Sequence, residues 1–328
     1  MFGLTSKEIF FCIINGFLIG IANLIPGVSG GTFALILGLY DRLISGLTSI
    51  NLDTLKAILK LLSSPFRKQS WEEFGKELQR IDAYFLAFVL FGVLLSVLSG
   101  AKLILYLLTY QPAPTLALFI GLIIPSLVVP YRMITERNLL TWSLVIPGLL
   151  LTIVPSFFMS NFTGSENLIY SFVCGAIAIS AMILPGISGS YLLLVLGEYP
   201  LIISKLSDPF HLSSILFLGS FAIGCLFGLL AFTHVIKYLL ENHRSKTMSF
   251  LLGLILGSFY ILWPFKDYSL AQTIVGRSGE VKRDIQIATA PNILPGSLEE
   301  MIFPMVALVF GIFLGLFLNK IESLLSKE

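Results

Sequence analysis

Nearly the same segment occurs twice in this chain, as ANLIPGVSGGTFALILGLYDRLIS from Ala22 to Ser45 and as AMILPGISGSYLLLVLGEYPLIIS from Ala181 to Ser204. A constant offset of 159 matches Pro26 with Pro185, Gly27 with Gly186, Ser29 with Ser188, Gly30 with Gly189, Gly38 with Gly197 and Tyr40 with Tyr199. An offset near half the length means that one structural unit is used twice. Each copy sets a Pro-Gly-x-Ser-Gly break inside an apolar run. In a membrane that break frees backbone groups which lipid cannot satisfy. Paired breaks at corresponding places point to the binding site of a transporter.

The membrane reading follows from composition. Of 328 residues, 56% are hydrophobic and 12% charged, against about 25% charged in soluble domains. The formal charge of +2 is too small to argue for a nucleic-acid partner. Cys12, Cys174 and Cys225 lie in apolar runs without CxxC or Cys/His spacing, so they read as packing residues, with no metal site or cofactor implied. The N-terminal apolar run lacks the basic region and cleavage site of a signal peptide and is expected to remain as a membrane segment.

Long apolar runs occupy 83–109, 114–130, 139–158, 212–236, 247–264 and 301–319. Each is long enough to cross about 30 Å of hydrocarbon. The repeats differ: Ile9 to Ile25 and Leu168 to Leu184 break at Pro-Gly and resume over Ser29–Ile44 and Ser188–Ile203. The resumed helices would measure about 24 Å, short of a crossing, which suggests re-entrant hairpins. Basic residues concentrate in 51–82, 131–138 and 237–246, whereas 109–113 carries no charge and 159–167 only Glu166. Basic loops belong in the cytoplasm, which sends the first hairpin in from inside and the second from outside. The predicted fold is an all-α polytopic membrane protein built as an inverted repeat, each half a re-entrant helical hairpin followed by three transmembrane helices. It forms one membrane domain over 1–328, with halves 1–160 and 161–328.

Two polar insertions interrupt this plan. Residues 51–81 read as interfacial amphipathic helices: Asn51 caps the first, and Ser70 with Glu73 makes a capping box for the second. In the second, Trp71, Phe74, Leu78 and Ile81 share a face opposite Glu72, Lys76, Glu77 and Arg80. Residues 266–298 form a polar external loop.

The chemistry lies at the breaks. Pro26 and Pro185 end the incoming helices, and Gly27 and Gly186 tolerate positive φ. Ser29 and Ser188 are N-cap types for the outgoing helices, whose first amides lack intrahelical partners. Gly30, Gly31 and Gly189 admit a ligand close to the backbone, and Thr32, Ser190 and Tyr191 add hydroxyls. Two such starts converging near the midplane form an anion site; alternatively, the breaks are tight turns that let hairpins pack. Asn23 either caps the break or touches the ligand. Intramembrane ionisable groups are functional candidates. Glu198 could bind or couple protons, or serve as a hydrogen-bonded structural acid. Asp41 and Arg42 are coupling candidates or a solvated local pair. Lys102 snorkels or reaches the anion, and His234 sits at an interface above Lys237.

The two repeated segments resemble the hallmark segments of the PopT-type polyprenyl-phosphate transporters, a bacterial integral membrane family, and the likeness extends over essentially the whole chain. It implies a carrier that returns undecaprenyl phosphate to the cytoplasmic leaflet during cell-wall synthesis, multi-pass in the bacterial cytoplasmic membrane. The family motif carries over to Pro26–Thr32 and Pro185–Tyr191. A phosphatase alternative is weaker. Undecaprenyl-pyrophosphate phosphatases have a similar PG-x-SRS-x-x-T signature, but Gly30 stands where they carry arginine and no activated nucleophile is in evidence. A small-anion carrier would use the same amides, but needs an aqueous vestibule where a prenyl lipid needs a lateral opening to the hairpin tips.

Overall fold

The structure, a computed structural model, describes residues 5–24, 29–158, 164–208, 210–271, 286 and 289–325. Its elements are helical. The first are α1 (Ser6–Asn23), α2 (Gly30–Ile36) and α3 (Tyr40–Ser49), followed by the insertion helices α4 (Leu52–Ser63) and α5 (Lys68–Arg80). Then come α6 (Ala83–Tyr110), α7 (Pro112–Ile123), α8 (Val128–Met133), α9 (Leu139–Ser143) and α10 (Val145–Ile153). The remainder holds α11 (Leu168–Ile183), α12 (Gly189–Val195), α13 (Tyr199–Ser207), α14 (Leu212–Asn242), α15 (Arg244–Ile261) and α16 (Leu298–Leu325).

Among the described residues six helical stretches are long and apolar enough to cross a membrane: Ser6–Asn23, Ala83–Tyr110, Pro112–Met133, Leu139–Phe158, Leu212–Asn242 and Leu298–Phe317. The chain is a multi-pass membrane protein. The expected run 247–264 becomes α15, which is not among the six. It lies in the protein core, where Met248, Leu251, Leu254 and Ile255 are fully buried, so neighbouring helices rather than lipid surround it.

Four helix pairs dominate the packing: α1 with α6, α11 with α14, α7 with α16, and α10 with α15. Lipid tails offer no hydrophobic drive to pair helices, so backbones must approach closely enough for dispersion to hold them. Glycines permit this at every one of the four seams. A Cβ on Gly92 would fall 2.1 Å from the Ile13 carbonyl oxygen, on Gly224 2.0 Å from that of Phe172, on Gly121 2.2 Å from that of Leu308 and on Gly253 2.1 Å from that of Val145. Each seam is closed from the other helix too, by Gly16, Gly175, Gly311 and Gly148.

The outgoing arms depart from expectation. Neither is one continuous helix of about 16 residues; each ends after seven and restarts beyond a glycine. Gly38 (φ 66°) and Gly197 (φ 73°) are left-handed. Leu39 N donates to Ala34 O and Glu198 N to Leu193 O, both at 2.8–2.9 Å. These are Schellman closures, in which a left-handed glycine satisfies the last carbonyls of a helix. In the second arm, α12 and α13 are bent by 108°.

The insertion is capped at Asn51 as expected, its side chain accepting from the amides of Asp53 and Thr54. The second cap is a correction. Helix α5 begins earlier, at Lys68 with Arg67 as its uncapped N-cap, which leaves Ser70 buried inside the first turn. The face assignment shifts with it: Trp71 is exposed, while Glu77 is covered and bonded by Thr54 and Arg80. These contacts hold the Glu77 carboxyl down to about 2, the Arg80 bond being the larger cause. In the segment after α15, Lys266 is buried with its ammonium donating to Asn292 Oδ1 at 2.8 Å.

Candidate functional site

The residues that follow the first break meet the second break inside the protein. Ser29, 1% exposed, donates its hydroxyl to the Leu184 carbonyl at 2.9 Å, across 155 residues of sequence. Thr32 Oγ1 accepts from the Gly186 amide at 2.8 Å. A Cβ on Gly31 would lie 2.6 Å from the Ile183 carbonyl oxygen, so the start of α2 packs backbone to backbone on the end of α11. Gly186 has φ +91° and rests against the Leu254 backbone of α15. A side chain there would be both strained and blocked. Pro185 is buried in the second turn; Pro26 and Gly27 lie outside the described residues.

The amides of α2 are not the open donors expected. Gly30 N donates to Asn23 Oδ1 at 3.0 Å and Gly31 N to Ser29 Oγ at 3.1 Å, while Thr32 N donates to Ser29 O at 3.0 Å. Asn23 therefore caps, and the first turn of α2 is satisfied by the protein itself. Helix α12 differs. Ser188 makes no side-chain cap, and its hydroxyl pairs instead with that of exposed Ser190 at 2.9 Å. The amides of Gly189, Ser190 and Tyr191 have no protein acceptor among the described residues. Tyr191 turns inward and donates to the Thr152 carbonyl at 3.2 Å.

An apolar groove of about 500 Å³ leads to this point. Its walls are α11 and α14, with Leu151 from α10, and it reaches Leu184, Ile187 and Leu192 around the second turn. Val173, Ile177, Phe227 and Val235 form an exposed rim, so the groove opens sideways, where lipid lies, rather than into a polar vestibule.

The ionisable candidates are placed as follows. Glu198 is wholly buried at the α12–α13 bend; its Oε2 accepts from the Ser165 amide at 3.2 Å and its Oε1 has no partner among the described residues. Asp41 and Arg42 are not a local pair. Asp41 accepts from Arg244 at the start of α15 (2.7 Å), and Arg42 forks onto Asp82 (2.6 and 3.2 Å) while its guanidinium lies 4.0 Å from the Phe85 ring centroid. Contacts across 203 and 40 residues carry no local sequence signal. Lys102 is exposed, and His234 is exposed with Nδ1 2.6 Å from the Leu230 carbonyl.

Helical arms broken by Pro-Gly, meeting inside a bundle of membrane-spanning helices, define the class of polytopic membrane transporters. A family model described as VCA0040-like, undecaprenyl phosphate translocase-like, matches residues 19–281. The chain is similar to the polyprenyl-phosphate transporter of Vibrio cholerae serotype O1, with 36% identity over 262 residues covering 77% of each protein. It is also similar to the polyprenyl-phosphate transporter of Staphylococcus aureus, with 32% identity over 268 residues covering 77% of this chain and 85% of that one. No solved structure matches it. The protein belongs to the undecaprenyl phosphate translocase-like family, whose matching members are named as transporters and not as enzymes.

Proposed function

We propose that the protein carries polyprenyl phosphate, with undecaprenyl phosphate as the substrate, from the outer to the inner leaflet of the bacterial cytoplasmic membrane, returning the carrier lipid to cell-wall synthesis. The observation that carries this reading is the lateral apolar groove that runs up to the second turn and past it. A long prenyl chain can stay in it or in lipid while only the headgroup enters the protein. A small soluble anion would gain nothing from such a wall.

The headgroup is assigned to the second turn, where the open amides of Gly189, Ser190 and Tyr191 and the Ser188 and Ser190 hydroxyls stand together. Amide and hydroxyl donors preorganised around a phosphate need no reorganisation when it arrives. Asn23, Ser29, Gly30, Gly31 and Thr32, with Pro185 and Gly186, build the crossing that holds those donors in place. Residues 1–160 and 161–328 form inverted repeats, and the helix pairs built from them turn about that crossing to open the site to one leaflet and then the other. Several matches support two equivalent units. Gly38 and Gly197 close the arms identically, and α1–α6 pairs as α11–α14 does. Beyond the insertion the offset becomes 132, and the seam residues Gly92 and Gly121 then match Gly224 and Gly253. By element order α7 corresponds to α15 and α10 to α16, and the cross-packing α7–α16 and α10–α15 exchanges under that matching. Glu198 is the proton-coupling group in this reading, supported by its burial and by an oxygen without a partner among the described residues, as in an acid that takes a proton when the site changes sides.

The test is leaflet exchange of undecaprenyl phosphate in proteoliposomes, with and without a pH gradient. Exchange faster than in protein-free liposomes, and responsive to the gradient, is expected. Exchange at the protein-free rate would overturn the reading.

A further inference from the structure

The groove does not stop at the second turn. A cavity of about 440 Å³ continues it, sharing Leu151, Leu184 and Phe232, and its far end is walled by His243, Lys246 and Thr247. That end is the α14–α15 connection, the basic loop that charge places on the cytoplasmic side. From Phe227 to His243 the slot follows α14 for about 24 Å, or 1.5 Å per residue. Until the last turn its lining is apolar apart from Ser180, whose hydroxyl donates to the Ala176 carbonyl; at the last turn it becomes cationic.

The charge there is not used by the protein. Arg244 is held by Asp41 at 2.7 Å, but Lys246, half-buried, makes no ion pair or side-chain hydrogen bond among the described residues. Glu241, the acid of this connection, is exposed, makes no ion pair among the described residues and does not line the cavity. The first turn of α15 contains no acid and two cations, a sign that the helix dipole opposes at that end. An ammonium group beside an apolar wall is poorly solvated unless an anion shares the position.

We propose that Lys246 and His243 form a second phosphate station at the cytoplasmic mouth, where the monophosphate of a polyisoprenoid lipid rests on Lys246 with His243 beside it and the chain lies in the slot past Leu151 and Phe232. This rests on the polyprenyl-phosphate reading above. The lipid passes from the neutral donors at the second turn to a cation facing the inner leaflet. Thr247 takes no part, since its hydroxyl donates to the carbonyls of Leu239 and His243.

The experiment measures binding of farnesyl phosphate, farnesol and inorganic phosphate to the full protein in nanodiscs, by ligand-dependent shift in melting temperature and by titration. Wild type is expected to bind farnesyl phosphate. Lys246→Gln weakens that binding at least about tenfold, the step that about 1.4 kcal/mol represents, and Lys246→Arg restores it. Farnesol binding is weak and unchanged by either substitution, and Ala231→Trp, which fills the slot, lowers farnesyl phosphate binding with Lys246 intact. Equal farnesyl phosphate affinity in wild type and Lys246→Gln overturns the station while leaving the substrate reading standing. Absence of farnesyl phosphate binding in wild type overturns both. Inorganic phosphate binding as tightly, with the same Lys246 dependence, overturns the lipid as occupant. Ligand-free melting of each variant separates loss of binding from loss of fold.

Discussion

The hydrogen bond from the Gly186 amide to Thr32 Oγ1 is the sharpest test of how the two turns are held. Both groups are buried, the bond is 2.8 Å, and it joins residues 154 apart. Thr32→Val keeps the shape and removes the acceptor, so a buried N–H loses its partner. The expected cost is about 1–3 kcal/mol, the desolvation penalty of an orphaned donor. If that cost is met by local opening of the crossing, the opening equilibrium rises roughly 5- to 150-fold. Hydrogen–deuterium exchange over residues 183–190, measured in nanodiscs, reads this directly as lost protection. Thr32→Ser retains an acceptor and should keep most of the protection. Exchange in Thr32→Val indistinguishable from wild type would refute the claim that this bond fastens α2 to the second turn.

Three further outcomes are expected. Gly224→Ala places a methyl 2.0 Å from the Phe172 carbonyl oxygen and should lower the melting temperature by an overpacking penalty of about 1–3 kcal/mol, whereas Gly219→Ala on the same helix meets nothing within 4 Å and should stabilise by about 0.5–1 kcal/mol. Glu198→Gln should leave leaflet exchange active but flatten its response to pH; an unchanged pH profile would remove proton coupling through this residue. Burial pushes the Lys266 ammonium down to about 8 from an ordinary value of 10.5. The folded state then sheds its proton before the unfolded state does, so this group's penalty of about 3 kcal/mol is complete below pH 8 and fades as pH rises toward 10.5. Lys266→Met should therefore raise stability at pH 7, less about 1 kcal/mol for the lost Asn292 bond, and give no gain near pH 10.5; melting curves across that range decide it.

Much of the architecture was legible because membrane segments announce themselves through length and apolarity, and because a motif written twice implies a unit used twice. The meeting of the breaks at the core followed from that logic. Sequence failed where the decisive partner was remote. Nothing near Asp41 names Arg244, and nothing near Glu77 names Thr54. The Ser70–Glu73 box is a valid local signal, yet α5 starts at Lys68 and leaves Ser70 buried inside its first turn. Gly38 and Gly197 were aligned in the two copies, and the left-handed C′ glycine could have been read from them, since each follows seven apolar or small residues after the turn. Counting those segments as continuous arms hid the corner. The satisfaction of the α2 amides was also partly visible: Asn23 lies seven residues before Gly30, close enough to fold back as a cap, and the second copy has Met182 at that place.

The glycine seams carry a mechanical implication. Where a carbonyl oxygen occupies the position a methyl would have filled, two helices have no slack for sliding or splaying against each other. Four such couples behave as stiff girders. Distortion is then left to the places where girders abut, the crossing of the two breaks among them, so movement in this molecule is a turning of stiff blocks and not a loosening of single helices.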